Sequence, residues 1–172
     1  MTRSYSAALP IAHVVLRILI VLNWLYGAAI LALLVLIPHD RWIMSEFELS
    51  PGAEADRLVM GLRAIAVIGL VTVPLYHLIL TRLLAIVGTV RAGDPFVAAN
   101  ASRLQAIAWA LLALQLLGLL IFAIAEAAET ADHPLELNSV SINGWLAVLL
   151  TFVLARVFAE GARMREELEG TV

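Results

Sequence analysis

Residues 105–125 read QAIAWALLALQLLGLLIFAIA, twenty-one positions without one charged side chain. Coiled as an α-helix at about 1.5 Å per residue, that stretch covers roughly 30 Å, the hydrocarbon thickness of a bilayer. Apolar residues occupy every side of such a helix, and a helix of that kind is buried in a large core or in lipid. A chain of 172 residues leaves too much of its surface exposed to hide several of them. The stretch therefore reads as a membrane span.

Three more apolar runs of similar length lie at residues 18–37, 63–84 and 142–162. The whole composition agrees: 62% hydrophobic and 15% charged, against about 45–50% and 25% in an ordinary soluble domain, with a mean hydropathy of +0.95. The expected fold is all-α, an integral membrane four-helix bundle forming one domain over residues 1–172. Arg3 precedes an apolar stretch from Leu9 to Ile37, far longer than a signal-peptide core and without a clear small-x-small cleavage site. It reads as a retained span with a helical lead-in from Pro10. There is no Cys, which removes disulfides, thiolate nucleophiles and Cys-ligated metals.

Orientation follows from arginine. All eleven basic residues are Arg, and eight of them (Arg3, Arg17, Arg82, Arg91, Arg103, Arg156, Arg163, Arg165) fall on one side of the four spans. Basic residues collect on cytoplasmic flanks, so both termini, the loop 85–104 and the tail 163–172 are expected in the cytoplasm. The loops 38–57 and 126–141 are expected outside, and they hold nine of the fourteen acidic residues. With no Lys and a GC-rich flavour to the Arg usage, the expected location is a bacterial inner membrane. Trp24, Trp42, Trp109 and Trp145 lie within about two turns of span ends, as interfacial aromatics do.

Between the second and third spans, Gly93 is expected to end a helix that continues to about Arg91. Asp94-Pro95 is expected to open the next one, with Asp capping free N–H groups and Pro at a position that lacks a partner anyway. Ala147, Thr151, Ala155 and Ala159 repeat every fourth residue on the last span, and Ala106, Ala110 and Ala113 line the third. Small residues let helix backbones approach in lipid. They serve packing within the bundle or packing between copies of the chain.

Polar residues inside spans need partners or uses. Counted by helical rise, Asn23 and His77 lie about 8–9 Å inside the cytoplasmic boundary, with Trp109 near their level and Gln105 closer to the surface. They form either a cytoplasm-facing polar pocket or a set of interhelical hydrogen bonds. Thr72, Gln115 and Thr151 fall near the bilayer middle, where no carboxylate stands, which speaks against a proton relay or ion-coupled pump. Arg17 with Glu160, and Arg63 with Glu126, are either interhelical pairs or side chains snorkelling to water. His13, His39, His77 and His133 are isolated, no His-x-x-x-His or Glu-x-x-His pair is present, and no Gly-x-Ser-x-Gly or Walker-type loop occurs. No cofactor, metal or enzymatic activity is expected, and no basic block points to direct nucleic-acid binding.

Two segments, RAGDPFVAANASRLQAIAW at 91–109 and VLARVFAEGARMREELEGTV at 153–172, together resemble the bacterial four-span membrane family known as domain of unknown function 2975. The resemblance rests on Gly93, Pro95, Phe96, Asn100, Arg103 and Leu104, then Phe158, Gly161, Glu166, Thr171 and Val172. The chain departs from the family pattern at Ala99, where members often carry Glu, and in a tail one residue longer between Glu166 and Thr171. The family has no established activity. Its members often occur beside a small helix-turn-helix regulator, and the resemblance implies a membrane partner that holds or releases it.

Together these readings give a non-enzymatic regulatory or interaction component. Its expected working surface is Gly93, Asp94, Pro95, Phe96, Asn100, Arg103, Phe158, Gly161, Arg165 and Glu166. Two other readings stand beside it: a small-molecule or lipid-binding protein using Asn23, His77, Gln105 and Trp109, and an accessory subunit of a membrane complex. Topology is directly testable. Reporter fusions placed at Gly52 and at Gly93 should give opposite signals, and matching signals would overturn the assigned topology.

Overall fold

The structure is a computed structural model, and it describes residues 5–36, 52–128 and 141–169. Four α-helices make it up: α1 (Tyr5–Leu36), α2 (Ala53–Arg91), α3 (Ala98–Ala128) and α4 (Ile142–Glu169). Each contains a stretch long and apolar enough to cross a membrane. No strand occurs among the described residues. The helices pack in chain order, α1 on α2, α2 on α3 and α3 on α4. Large apolar side chains such as Leu22, Leu25, Val71, Leu116, Leu149 and Val153 stay exposed on the outer faces, where acyl chains rather than water are their natural solvent.

The first two helices start earlier than the sequence reading has them. α1 begins at Tyr5, so Pro10 sits inside the helix rather than at its head. α2 begins at Ala53, ten residues before the apolar run, and Asp56 N–H donates to the Gly52 carbonyl at 3.1 Å. Asp56 thus lies in its first turn, where negative charge meets the positive end of the helix dipole. What read as loop is a helix start. The remainder of both outer loops, with Arg41, Trp42, His39 and His133, lies outside the described residues.

Small residues set the spacing between helices. A Cβ built on Gly61 would stand 2.3 Å from the Ala128 Cβ, so the beginning of α2 and the end of α3 touch almost backbone to backbone. Gly27 does the same for α1, with the Val73 methyls 3.1 Å from where its Cβ would be. A core of Ile79, Leu104, Ile107, Ala110 and Ala155 joins α2, α3 and α4. Ala110 and Ala155 belong to the two alanine rows, so the rows pack within the bundle at those positions.

α3 and α4 are staggered. Gln115 lies on Gly144, and Trp109 meets the Phe152 ring edge-on at 5.3 Å. The first turn of α4 therefore faces the middle of α3. Thr151 stands beside the Trp109 level, about 9–10 Å from the Gln115 level along the helix axis, so the three mid-span polar residues do not share one layer. Thr151 instead donates to its own helix, to the Ala147 carbonyl at 2.7 Å.

The loop–tail cluster and the intramembrane polar residues

The turn from α2 to α3 begins with a helix stop that the sequence dictates. Gly93 takes φ +83°, a left-handed conformation in which only glycine is at ease. With it, Gly93 N–H donates to the Val90 carbonyl at 3.1 Å and Asp94 N–H to the Thr89 carbonyl at 3.0 Å. These two bonds are a Schellman motif, which satisfies carbonyls that the end of α2 leaves unpaired.

Asp94 is therefore the closing residue of α2 and not the cap of α3. Residues 94–97 are non-helical and α3 starts at Ala98. The cap expected at Asp94-Pro95 is corrected on two physical grounds. Its N–H is already committed to the Thr89 carbonyl of α2, and its carboxylate pairs with Arg165 on α4 rather than with the first N–H groups of α3.

Asn100 holds the turn in place. It is fully buried, the one polar residue so buried among the described residues. Its Nδ2 donates to Thr89 Oγ1 at 2.7 Å and to the Pro95 carbonyl at 2.8 Å. Arg103 Nη1 donates to Asn100 Oδ1 at 2.7 Å, and the Thr89 hydroxyl passes its own proton to the Ile86 carbonyl at 2.7 Å. A buried amide costs free energy unless its donors and acceptor are matched. Here both ends of it are used. Arg103 reaches Asn100 from one turn further along the same helix face.

The tail joins the same cluster. Phe96 stacks on Phe158 with ring centroids 5.3 Å apart and planes at 37°. It also covers Gly161, where a Cβ would stand 2.9 Å from the Phe96 ring. Asp94 is ion-paired with Arg165, linking the turn to the last helix. Glu160 pairs with Arg163 at 2.6 Å, one turn away on α4. Among the described residues no ion pair joins it to Arg17. Arg91 and Glu166 are exposed beside this cluster. Of the ten residues expected to form one surface, Asn100 is buried beneath it, and the others come from two segments that the fold brings together.

The four residues of the expected intramembrane pocket do not converge. Asn23 Nδ2 donates to the Val73 carbonyl at 3.0 Å, and the Trp24 indole N–H donates to His77 Nδ1 at 3.1 Å. Those bonds tie α1 to α2. Trp24 packs edge-on against the His77 ring, 5.4 Å away. Gln105 and Trp109 are exposed on the other side of α3, toward α4, where Gln105 lines a shallow groove with Phe152 and Arg156. Asn23 and His77 stand on the α1–α2 contact, whereas Gln105 and Trp109 face α4. Among the described residues no three His, Asp or Glu side chains gather in a way that could hold a metal.

The packing implies measurable costs. Asn100→Ala leaves the Thr89 hydroxyl and the Pro95 carbonyl without their donor and should lower stability by about 1–3 kcal/mol. Gly93→Ala forces a side chain into left-handed backbone and should cost about 1–2 kcal/mol. Unfolding in detergent, followed by circular dichroism, checks both.

No curated protein and no solved structure matches the chain. A family model described as "Protein of unknown function (DUF2975)" matches residues 39–172, a range that contains the α2–α3 turn, the tail and three of the four helices. On that match, the chain belongs to the family described as "Protein of unknown function (DUF2975)".

Proposed function

We propose that this chain is a non-enzymatic regulatory component of a bacterial inner membrane, with the loop–tail cluster facing the cytoplasm as its docking surface. The supporting observation is the pairing of Phe96 with Phe158 and of Asp94 with Arg165. Two segments about sixty residues apart in sequence make one platform. Its base is stiff, because the Schellman turn and the Asn100 bonds leave the loop little freedom.

The rim of the platform mixes both signs of charge. Arg163 pairs with Glu160 and stands 3.6 Å from Glu167, and Arg165 pairs with Asp94. A phosphate ligand calls for unopposed Arg. A rim of alternating charge suits a protein surface, where it selects the partner and fixes its register. The helix-turn-helix regulator implied by the family resemblance is the partner proposed.

The experiment is capture from native membranes. A tagged helix-turn-helix regulator encoded beside the gene should retain the full chain. It should retain at least tenfold less of a chain lacking residues 163–172, and at least tenfold less of Phe96→Ala or Phe158→Ala. Membrane insertion of each variant is measured in parallel by carbonate extraction. Equal capture of correctly inserted variants would move the working surface away from this cluster.

A further inference from the structure

α2 is the floor of a trough whose walls are α1 and α3, with a volume of about 720 Å³. Small-molecule sites run from about 300 to 1,000 Å³. From Gly69 to Leu80 the floor extends over about 16 Å of helix. Its lining sets leucine and isoleucine side chains and two glycines beside Asn23, Tyr26, Thr72, Tyr76 and Gln115. No lining side chain is charged.

The two tyrosines are out of place for a structural role. Tyrosines of membrane proteins gather at the headgroup level, where the ring is in hydrocarbon and the hydroxyl in water. Tyr26 and Tyr76 each stand eight residues inside the apolar run, about 12 Å from its end. Both open onto the trough, and among the described residues neither hydroxyl has a hydrogen-bond partner. A hydroxyl left unpaired in hydrocarbon is costly. Thr72, by contrast, is satisfied by the Gly69 carbonyl at 2.7 Å.

Gly118 adds a second, independent sign. It lines the same trough, and a Cβ there would have nothing within 4 Å. Neither close packing nor an unusual backbone angle requires glycine at this place, and glycine weakens a helix interior. What its bareness does is keep the trough open.

We propose that the trough binds a neutral, membrane-partitioned molecule with a carbonyl head, its oxygen accepting from the Tyr26 and Tyr76 hydroxyls and its apolar body lying along the leucines. The absence of charge in the lining excludes an ionic head, since an unpaired charge at this depth would not be tolerated. A lipid-soluble quinone and a diacylglycerol both have this chemistry. The inference stands apart from the docking surface proposed above, and neither depends on the other.

The test uses the purified full chain in phosphatidylcholine nanodiscs, titrated with decylbenzoquinone, dioctanoylglycerol or decylbenzene and read by native mass spectrometry. At least one of the two carbonyl compounds should be retained at one per chain, and which of them is retained identifies the source. Decylbenzene, which lacks the acceptor, should bind at least tenfold more weakly. Gly118→Leu fills the trough and should weaken binding at least tenfold, whereas Gly88→Leu, equally unhindered but outside the trough, should bind like the wild type. The Tyr26→Phe, Tyr76→Phe double variant keeps both rings and should also lose at least tenfold, and it decides the matter if Gly118→Leu fails to fold. Retention of neither carbonyl compound overturns the proposal. So does equal retention of decylbenzene, or wild-type binding by the tyrosine double variant.

Discussion

Everything at the loop–tail end depends on one buried amide. Asn100 ties the last turn of α2, the non-helical turn and the first turn of α3 together through Thr89, Pro95 and Arg103. Remove its side chain and residues 94–97 lose the anchor that fixes where Phe96 and Asp94 point. Phe96 could then not be held on Phe158 and Gly161, nor Asp94 on Arg165. A polar side chain with no exposure is worth its desolvation only when matched partners surround it. Here the match also sets the geometry of the proposed surface.

The membrane-embedded part obeys a different constraint. Lipid supplies no hydrogen bonds and no hydrophobic force between helices, so contact has to come from close backbone approach. Gly61 on Ala128 and Gly27 on Val73 provide it. Because the helices pack in chain order, α1 and α3 stand on either side of α2 and leave a trough between them. Tight packing at the glycine contacts and open space at Gly118 are thus two outcomes of the same choice of small residues, decided by what lies opposite.

Much of the fold was legible because a span needs only length and the absence of charge, and both are visible in residues 105–125. Termination was legible at Gly93 for a stereochemical reason, its freedom to adopt positive φ. The start of α3 was not, since Asp94-Pro95 satisfies the usual rules for a helix N-terminus while its backbone is already claimed by α2. What decides it is the Schellman turn at Gly93, which makes Asp94 the residue that closes α2. Facing was the harder problem. Helical rise placed Asn23 and His77 at a common depth, and the structure bonds their surroundings together. Rise carries no information about rotation, and helices that are apolar on every side give no moment to orient them. Gln105 and Trp109 therefore turned out to face α4, while Tyr26, Tyr76 and Gln115, which do share a trough, were not singled out together. Burial of Asn100 was foreshadowed only by its place in the family motif beside Arg103.

The central claim is that the α2–α3 turn and the end of α4 form one surface in the membrane-embedded protein. The chain contains no Cys, so Asp94→Cys with Arg165→Cys introduces the only two thiols. Treated in native membranes with a short bis-maleimide, this pair should link within the chain to near completion and shift its electrophoretic mobility. If both thiols react with a monofunctional maleimide yet do not link to each other, the loop and the tail are apart and the account is wrong.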